Sequence, residues 1–460
     1  MIAPFAFSAG RAAPSRRFTL DGDRALEDGL ELACARALSG VRGLISANRL
    51  EAVLLAGGYG RGEGGVRNTS AGDRPYNDLE FYVVLRGPRL LNEARYRPAL
   101  EALGHILGHQ TGVEIEFKVA SAAGLAGSGP NMFLHDLLAG HRLLWGSEAA
   151  LARCLPHAPA ERIPISEAVR LLMNRGTGLL LARARLEAPG ADGWSDDDAD
   201  FVRRNLAKAQ LACGDAVLTV CRLYHGSCRE RHLRLRRLVT ILEDRKRAAA
   251  GTSAAGNRET SHPSEAAGQD IGAQPSSFRA DTASGTGRGE ADRSAAPEYR
   301  WAHAGGCAPS PRWLGWISDH HAAGVAFKLH PDDAGESRET LALRHAEVGA
   351  LVRETWLWVE GVRLGTFFPS TLAYAESADD KWPDSRRWRT ALLNLRAGAG
   401  SGLFRHPRGR VLSALALLLW ERPSLDRPAI RRRLRRLLGT ETGAYPAVLE
   451  AYLRLWRKVQ

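Results

Sequence analysis

Three short segments of this 460-residue chain carry side chains that could do chemistry together. The first is Asn77-Asp-Leu-Glu80, which opens an apolar stretch. Residues two apart on a strand share a face, so Asp78 and Glu80 present their carboxylates side by side. Ionised carboxylates so placed repel each other unless a cation lies between them, and hard oxygen donors favour magnesium or manganese. The plainer reading is a pair of solvated charges at a strand end. The second segment, Val113–Val119 (VEIEFKV), alternates with period two and puts Glu114 and Glu116 on its polar face. A third carboxylate from a neighbouring strand could complete a two-metal site and accept the proton of an attacking hydroxyl. A half-exposed strand in which Glu and Lys alternate is the bland alternative. The third segment is the string from Leu55 to Gly64, LAGGYGRGEG. Its glycines let the backbone turn sharply and bring N–H groups against an anion. It matches neither the G-x-x-x-x-G-K-[ST] phosphate loop nor the dinucleotide fingerprint.

These segments need elements to position them. Leu26 to Leu50 has apolar residues at helical spacing in its first half, at Leu26, Leu30, Ala33, Ala37 and Val41. Ala52–Ala56 reads as a buried strand running into the Gly57-Gly58 turn, and Leu79–Leu85 as a β-branched and aromatic strand. Pro98–Gly108 reads as a helix. The order helix, strand, glycine turn, strand, helix, strand defines a small α/β unit over residues 20–150.

Beyond it the pattern turns helical, clearest at Ile165–Leu186 and Phe201–Tyr224, so a helical domain is expected over 160–245. Residues 246–298 are dominated by Gly, Ser, Ala, Thr and charges. Such a composition buries too little apolar surface to offset chain entropy and predicts a disordered linker or insertion. From 299 to 460 a mostly helical region follows, with helices expected at His345–Val362, Trp388–Arg396, Arg410–Trp420 and Ile430–Leu438. Seven of the eleven tryptophans fall between Trp301 and Trp388. Trp356 and Trp358 could stack an acceptor ring, although such residues more often pack a core. The expected fold class is thus α+β: an N-terminal mixed sheet with helices, then a mostly α-helical C-terminal region.

A net charge of +12 favours polyanionic partners. The basic run Arg431–Arg436 could grip nucleic acid, but a solvated helix face is the more economical reading. The six cysteines form no Cys-x-x-Cys pair, which argues against a zinc site or disulfide framework. No apolar region follows the arginines of the first 18 residues, so no secretory signal is read there. Val411–Trp420 is the longest apolar run, about half of what a bilayer span needs. A reducing cytoplasm is the expected location, with no membrane partner.

Together the three segments resemble the nucleotidyltransferase superfamily that includes DNA polymerase β: a Gly-Gly turn, then Asp-x-Asp/Glu on the next strand, then a third acidic strand. The GGYGRGE string at Gly57–Glu63 is most similar to the motif of the uridylyltransferase type that modifies the PII signalling protein. The resemblance covers residues 50–120. It implies that Gly57 and Gly58 hold the β- and γ-phosphates of a nucleoside triphosphate such as ATP, that Asp78 and Glu80 bind Mg²⁺ or Mn²⁺, and that Glu116 is the third carboxylate, preferred to Glu114 for its place in mid-strand. The implied reaction is transfer of a nucleoside monophosphate to a protein, small-molecule or RNA acceptor. Two departures from the family pattern are a long spacing between Gly58 and Asp78, suggesting an insertion at Val66–Tyr76, and Glu rather than Asp at position 80. Arg61 either neutralises triphosphate or, preferably, pairs with Glu63 to brace the loop. Lys208 (and more weakly Arg175) could reach a phosphate across a cleft from the helical domain. The competing expectations are a catalytically inactive binding module of the same fold and a basic nucleic-acid-binding protein.

Overall fold

The computed structural model describes residues 17–188, 194–256, 309–332, 335–382, 387–396, 406–441 and 443–459. Its N-terminal part is a four-stranded mixed sheet between helices, and everything described after residue 160 is helical. This is the α+β architecture expected from the sequence.

Helix α1 (Arg24–Leu44) is capped by Asp23, whose side chain accepts from the Leu26 amide. It ends at Ile45, where the backbone becomes extended, and Leu50 already belongs to strand β1 (Leu50–Leu55), so the helix stops short of the Leu26–Leu50 window. The glycine string then forms a one-turn helix, α2 (Gly57–Arg61), rather than an open turn. The long spacing before Asp78 is a hairpin of β2 (Val66–Thr69) and β3 (Gly72–Pro75). Strand β4 (Leu79–Leu85) leads into α3 (Arg89–Thr111), which starts nine residues before the expected Pro98. Proline tolerates no bond from its own nitrogen but leaves the preceding turns free, and the ion pairs Arg89–Glu93 and Arg97–Glu101 support them at i,i+4 spacing. Strand β5 (Ile115–Ala120) follows, then α4 (Ala122–Gly127), α5 (Met132–Ala139) and β6 (Arg142–Gly146).

The sheet order is β5-β4-β1-β6. The β4 and β5 strands run parallel because α3 provides the crossover between them, and both other pairings are antiparallel. One face packs Val53, Leu55, Phe81, Val83 and Phe117 against α1 and α3. The other packs Leu54, Tyr82, Val84 and Ala120 against α4 and α5. Burial on both faces explains why β1 and β4 read as nearly continuous apolar runs.

The helical part centres on α6 (Ile165–Glu187), α7 (Asp196–Val220), α9 (Pro311–Leu329) and α10 (Arg338–Leu364), with α8 (Cys228–Gly256) leaving from their side. Helix α8 continues into the stretch expected to lack structure; residues 257–298 of that stretch, and Trp301, lie outside the described residues. Shorter helices α11 (Thr371–Glu376), α12 (Arg387–Arg396), α13 (Pro407–Trp420), α14 (Pro428–Leu438) and α15 (Tyr445–Val459) complete it. Trp356 is fully buried, edge-on to Tyr374 and Trp420, which makes it core rather than a stacking platform. In α14 Ile430, Leu434 and Leu438 are buried and the arginines take the opposite faces, Arg431 pairing with Asp426. No helix among the described residues is long and apolar enough to cross a membrane.

Candidate functional site

The acids meet at the N-terminal end of the parallel pair. Asp78 sits directly before β4, Glu80 is its second residue, and the register sets Glu80 opposite Glu116 on β5. One carboxylate oxygen from each of Asp78, Glu80 and Glu116 lies within 4.8 Å of the others. Glu114 precedes β5 and is exposed; its carbonyl accepts from the Leu79 amide at 2.8 Å, and its carboxylate stands outside the triad. Burial, reinforced by Glu80 and then by Glu116 and Glu114, raises the pKa of Asp78 above the usual carboxylate range. Crowding of like charge in a partly dry place is the condition a bound cation relieves.

Sequence reasoning missed Lys118, which lies two residues beyond Glu116 on the same face of β5. Its ammonium stands 2.8 Å from Glu80 and 3.0 Å from Glu116. Burial disfavours its charge, but Glu80, Tyr82 and Glu116 outweigh that and raise its pKa. The alternating Glu and Lys in VEIEFKV were visible, but their meaning depends on which strand lies alongside.

Above the acids, the chain leaves β1 through Ala56, whose amide donates to the Glu80 carbonyl at 2.9 Å. Gly57 has φ +67°, and a Cβ there would come within 2.8 Å of the Glu80 carboxylate. The positive φ favours glycine, whereas the Glu80 carboxylate could swing aside. Gly58 is the second residue of α2, and the Gly60 amide is the first to bond back, to Ala56 at 3.0 Å. Helix geometry therefore leaves the amides of Gly57, Gly58 and Tyr59 without an intrahelical acceptor, and Gly57 lies beside Glu80 of the triad.

The rest of the loop is held by buried contacts. The Tyr59 hydroxyl donates to the Gly65 carbonyl at 2.8 Å and accepts from the Tyr76 amide at 3.0 Å, which ties loop to hairpin. Arg61 and Glu63 do not form the local pair expected of them. Arg61 turns to Asp136 on α5 at 3.9 Å, away from the acids. Glu63 accepts from the Ser227 hydroxyl and from the Cys228 amide at 3.0 Å. It thereby puts a negative charge on the first turn of α8, where the helix dipole favours one. Burial opposes that charge, yet the Ser227 bond, Lys328, the Cys228 bond and Arg61 together lower the pKa of Glu63. Both residues brace the loop against other elements rather than against each other.

From the helical side, Lys208 on α7 approaches the acids, while Arg175 on α6 lies near Lys208 and interacts with Asp215 rather than with the triad. Surrounding protein and the charges of Arg175 and Arg204 lower the pKa of Lys208, while Asp78 and Glu80 pull the other way. Lys208 is exposed at its surface. The hairpin is fixed to the same helix through Tyr76, whose hydroxyl donates to Asp200 at 2.9 Å, with Arg204 and Arg67 on the same carboxylate.

The donor set suits a hard divalent cation: carboxylate oxygens only, close enough to share an ion after small side-chain rotations. Lys118 now supplies the positive charge there and would have to yield some of its place. No family model, curated protein or solved structure matches this chain significantly.

Proposed function

We propose that this protein is a metal-dependent nucleotidyltransferase that moves a nucleoside monophosphate from a triphosphate such as ATP to an acceptor hydroxyl or phosphate. The observation that carries the reading is the convergence of Asp78, Glu80 and Glu116 beside Gly57, where the glycine string begins α2. Amides at the start of α2 would bind β- and γ-phosphate oxygens, and Lys208, which feels the charges of Asp78 and Glu80, would face the same anion. Asp78 and Glu80 would hold Mg²⁺ or Mn²⁺, whose bound charge would offset that developing on the entering and leaving oxygens. Glu116, the most exposed of the three acids, would take the proton of the acceptor as its oxygen attacks the α-phosphorus and pyrophosphate leaves. The five cysteines among the described residues are free and buried, which fits a reducing compartment such as the cytoplasm.

A second reading, a nucleotide-binding module without turnover, draws on Lys118 filling the gap between Glu80 and Glu116. Incubation with each α-labelled triphosphate and Mg²⁺ or Mn²⁺ separates the two. Asp78→Ala should lower transfer at least about 10²-fold, in the range for losing one electrostatic partner of a reaction, with an unchanged circular dichroism spectrum. Transfer at the wild-type rate in that variant, or metal-independent nucleotide binding without transfer in the wild type, would refute the enzymatic reading.

A further inference from the structure

Strand β5 ends the sheet, and a groove of about 1160 Å³ runs along its outer side between α3 and the α4–α5 segment. The phase of the ladder decides which backbone groups face that groove. The Leu79 amide donates to the Glu114 carbonyl at 2.8 Å, and the pairs run without a break from Leu79↔Ile115 to Val84↔Ala120. In a parallel ladder alternate residues bond to one neighbour, so Glu116 and Lys118 turn their N–H and C=O groups to β4. Ile115, Phe117 and Val119 turn theirs outward. At Ile115 helix α3 closes the edge: a Cβ on Gly104 would come within 2.5 Å of the Ile115 carbonyl. Phe117 and Val119 border the groove with no backbone partner among the described residues. This edge carries neither a bulge nor a proline against strand addition, and the charges it does carry, Glu116 and Lys118, are paired with each other on one face.

We infer that the β5 edge binds an extended polypeptide as a fifth strand and that this polypeptide is the acceptor, an inference that rests on the nucleotidyltransferase reading. A backbone is the partner whose chemistry matches a row of free N–H and C=O groups. Charge argues against a nucleic acid here, because the groove lining carries four glutamates against four lysines and arginines. A guest strand would lie about 4.8 Å from β5, with every second side chain on the face of Glu116. A serine, threonine or tyrosine at such a position brings its hydroxyl to the acid triad. Its oxygen bonds to the α-phosphorus, the bond from that phosphorus to the bridging oxygen breaks, pyrophosphate departs, and the hydroxyl proton passes to Glu116.

The test uses the full chain with Mn²⁺, α-labelled triphosphates, and arrays of 12-residue peptides containing Ser, Thr or Tyr, beside RNA oligonucleotides and small polyols. Peptides should be labelled, and their amides should slow hydrogen exchange at Phe117 and Val119. Val119→Pro removes an outward N–H without breaking a β4–β5 bond, though it also fixes φ there, so it should cut peptide labelling by about tenfold or more while retaining Mn²⁺-dependent nucleotide binding. Peptides N-methylated at alternate residues should lose labelling with the unaltered protein, which keeps the test independent of how the proline variant folds. Label on RNA or polyols and not on peptides, or labelling indifferent to N-methylation, overturns the inference. Nucleotide binding without any labelled peptide overturns it alone; absence of nucleotide binding overturns the reading beneath it.

Discussion

Lys118 is the residue on which the chemistry of the acids turns. An ammonium and a divalent ion cannot hold the same pair of carboxylates, so Lys118→Met should raise Mn²⁺ affinity by about tenfold, or about 1.4 kcal/mol, in a spectroscopic Mn²⁺ titration. Weaker Mn²⁺ binding in the variant would show that the lysine organises the acids instead of competing for them. Without metal the variant should also be less stable, since Glu80 and Glu116 then repel across the ladder. Asp78, Glu80 and Glu116 were legible in the sequence because strand period and residue type suffice to place acids on a face. The role of Lys118 was not, because it arises from the register of two strands separated by α3. The preference for Glu116 over Glu114 was made on its mid-strand place, and the register that sets Glu116 opposite Glu80 supplies the physical reason.

The elements show a similar division. Periodicity alone located β1, β4, β5, α6 and most of α7, whose faces are uniformly apolar or cleanly alternating. It misjudged the GGYGR string, which is a helical turn because the Glu63–Gly58 and Gly60–Ala56 backbone bonds fold it back. It also saw the β2–β3 hairpin only as extra length, since that hairpin's residues are mostly polar on both sides. Glu63 looked like a partner for Arg61 because they are neighbours in sequence, whereas its actual partners lie more than 160 residues on. Glu63→Ala would leave the Cys228 amide and Ser227 hydroxyl buried without an acceptor. The expected loss is about 1–3 kcal/mol in chemical denaturation, the usual cost of an orphaned buried group. No loss would mean that water replaces the carboxylate.

At the scale of the molecule, stability should depend on pH through histidines in the helical part. Burial lowers the pKa of His345, whose ring donates to the Leu179 carbonyl at 2.9 Å. Burial also lowers those of His225, His232 and His320. In each case the unfolded chain takes up the proton more readily. The stabilisation is complete above the ordinary imidazole value of about 6.5 and is lost as pH falls towards and through the lowered native value. Urea midpoints should therefore fall from pH 7.5 to pH 5.5; a midpoint constant over that interval would contradict the assignment.

The anchoring of Glu63 at α8 bears on whether the sheet could stand alone. A carboxylate buried in the loop above the acids finds its hydrogen-bond donors only in a helix that the chain reaches much later. Without that helix the carboxylate would lose both donors and the loop above the acids would lose its anchor. The sheet is accordingly no free-standing cassette: its glycine loop is stitched to α8 through Glu63, and the Glu63 variant measures how tightly.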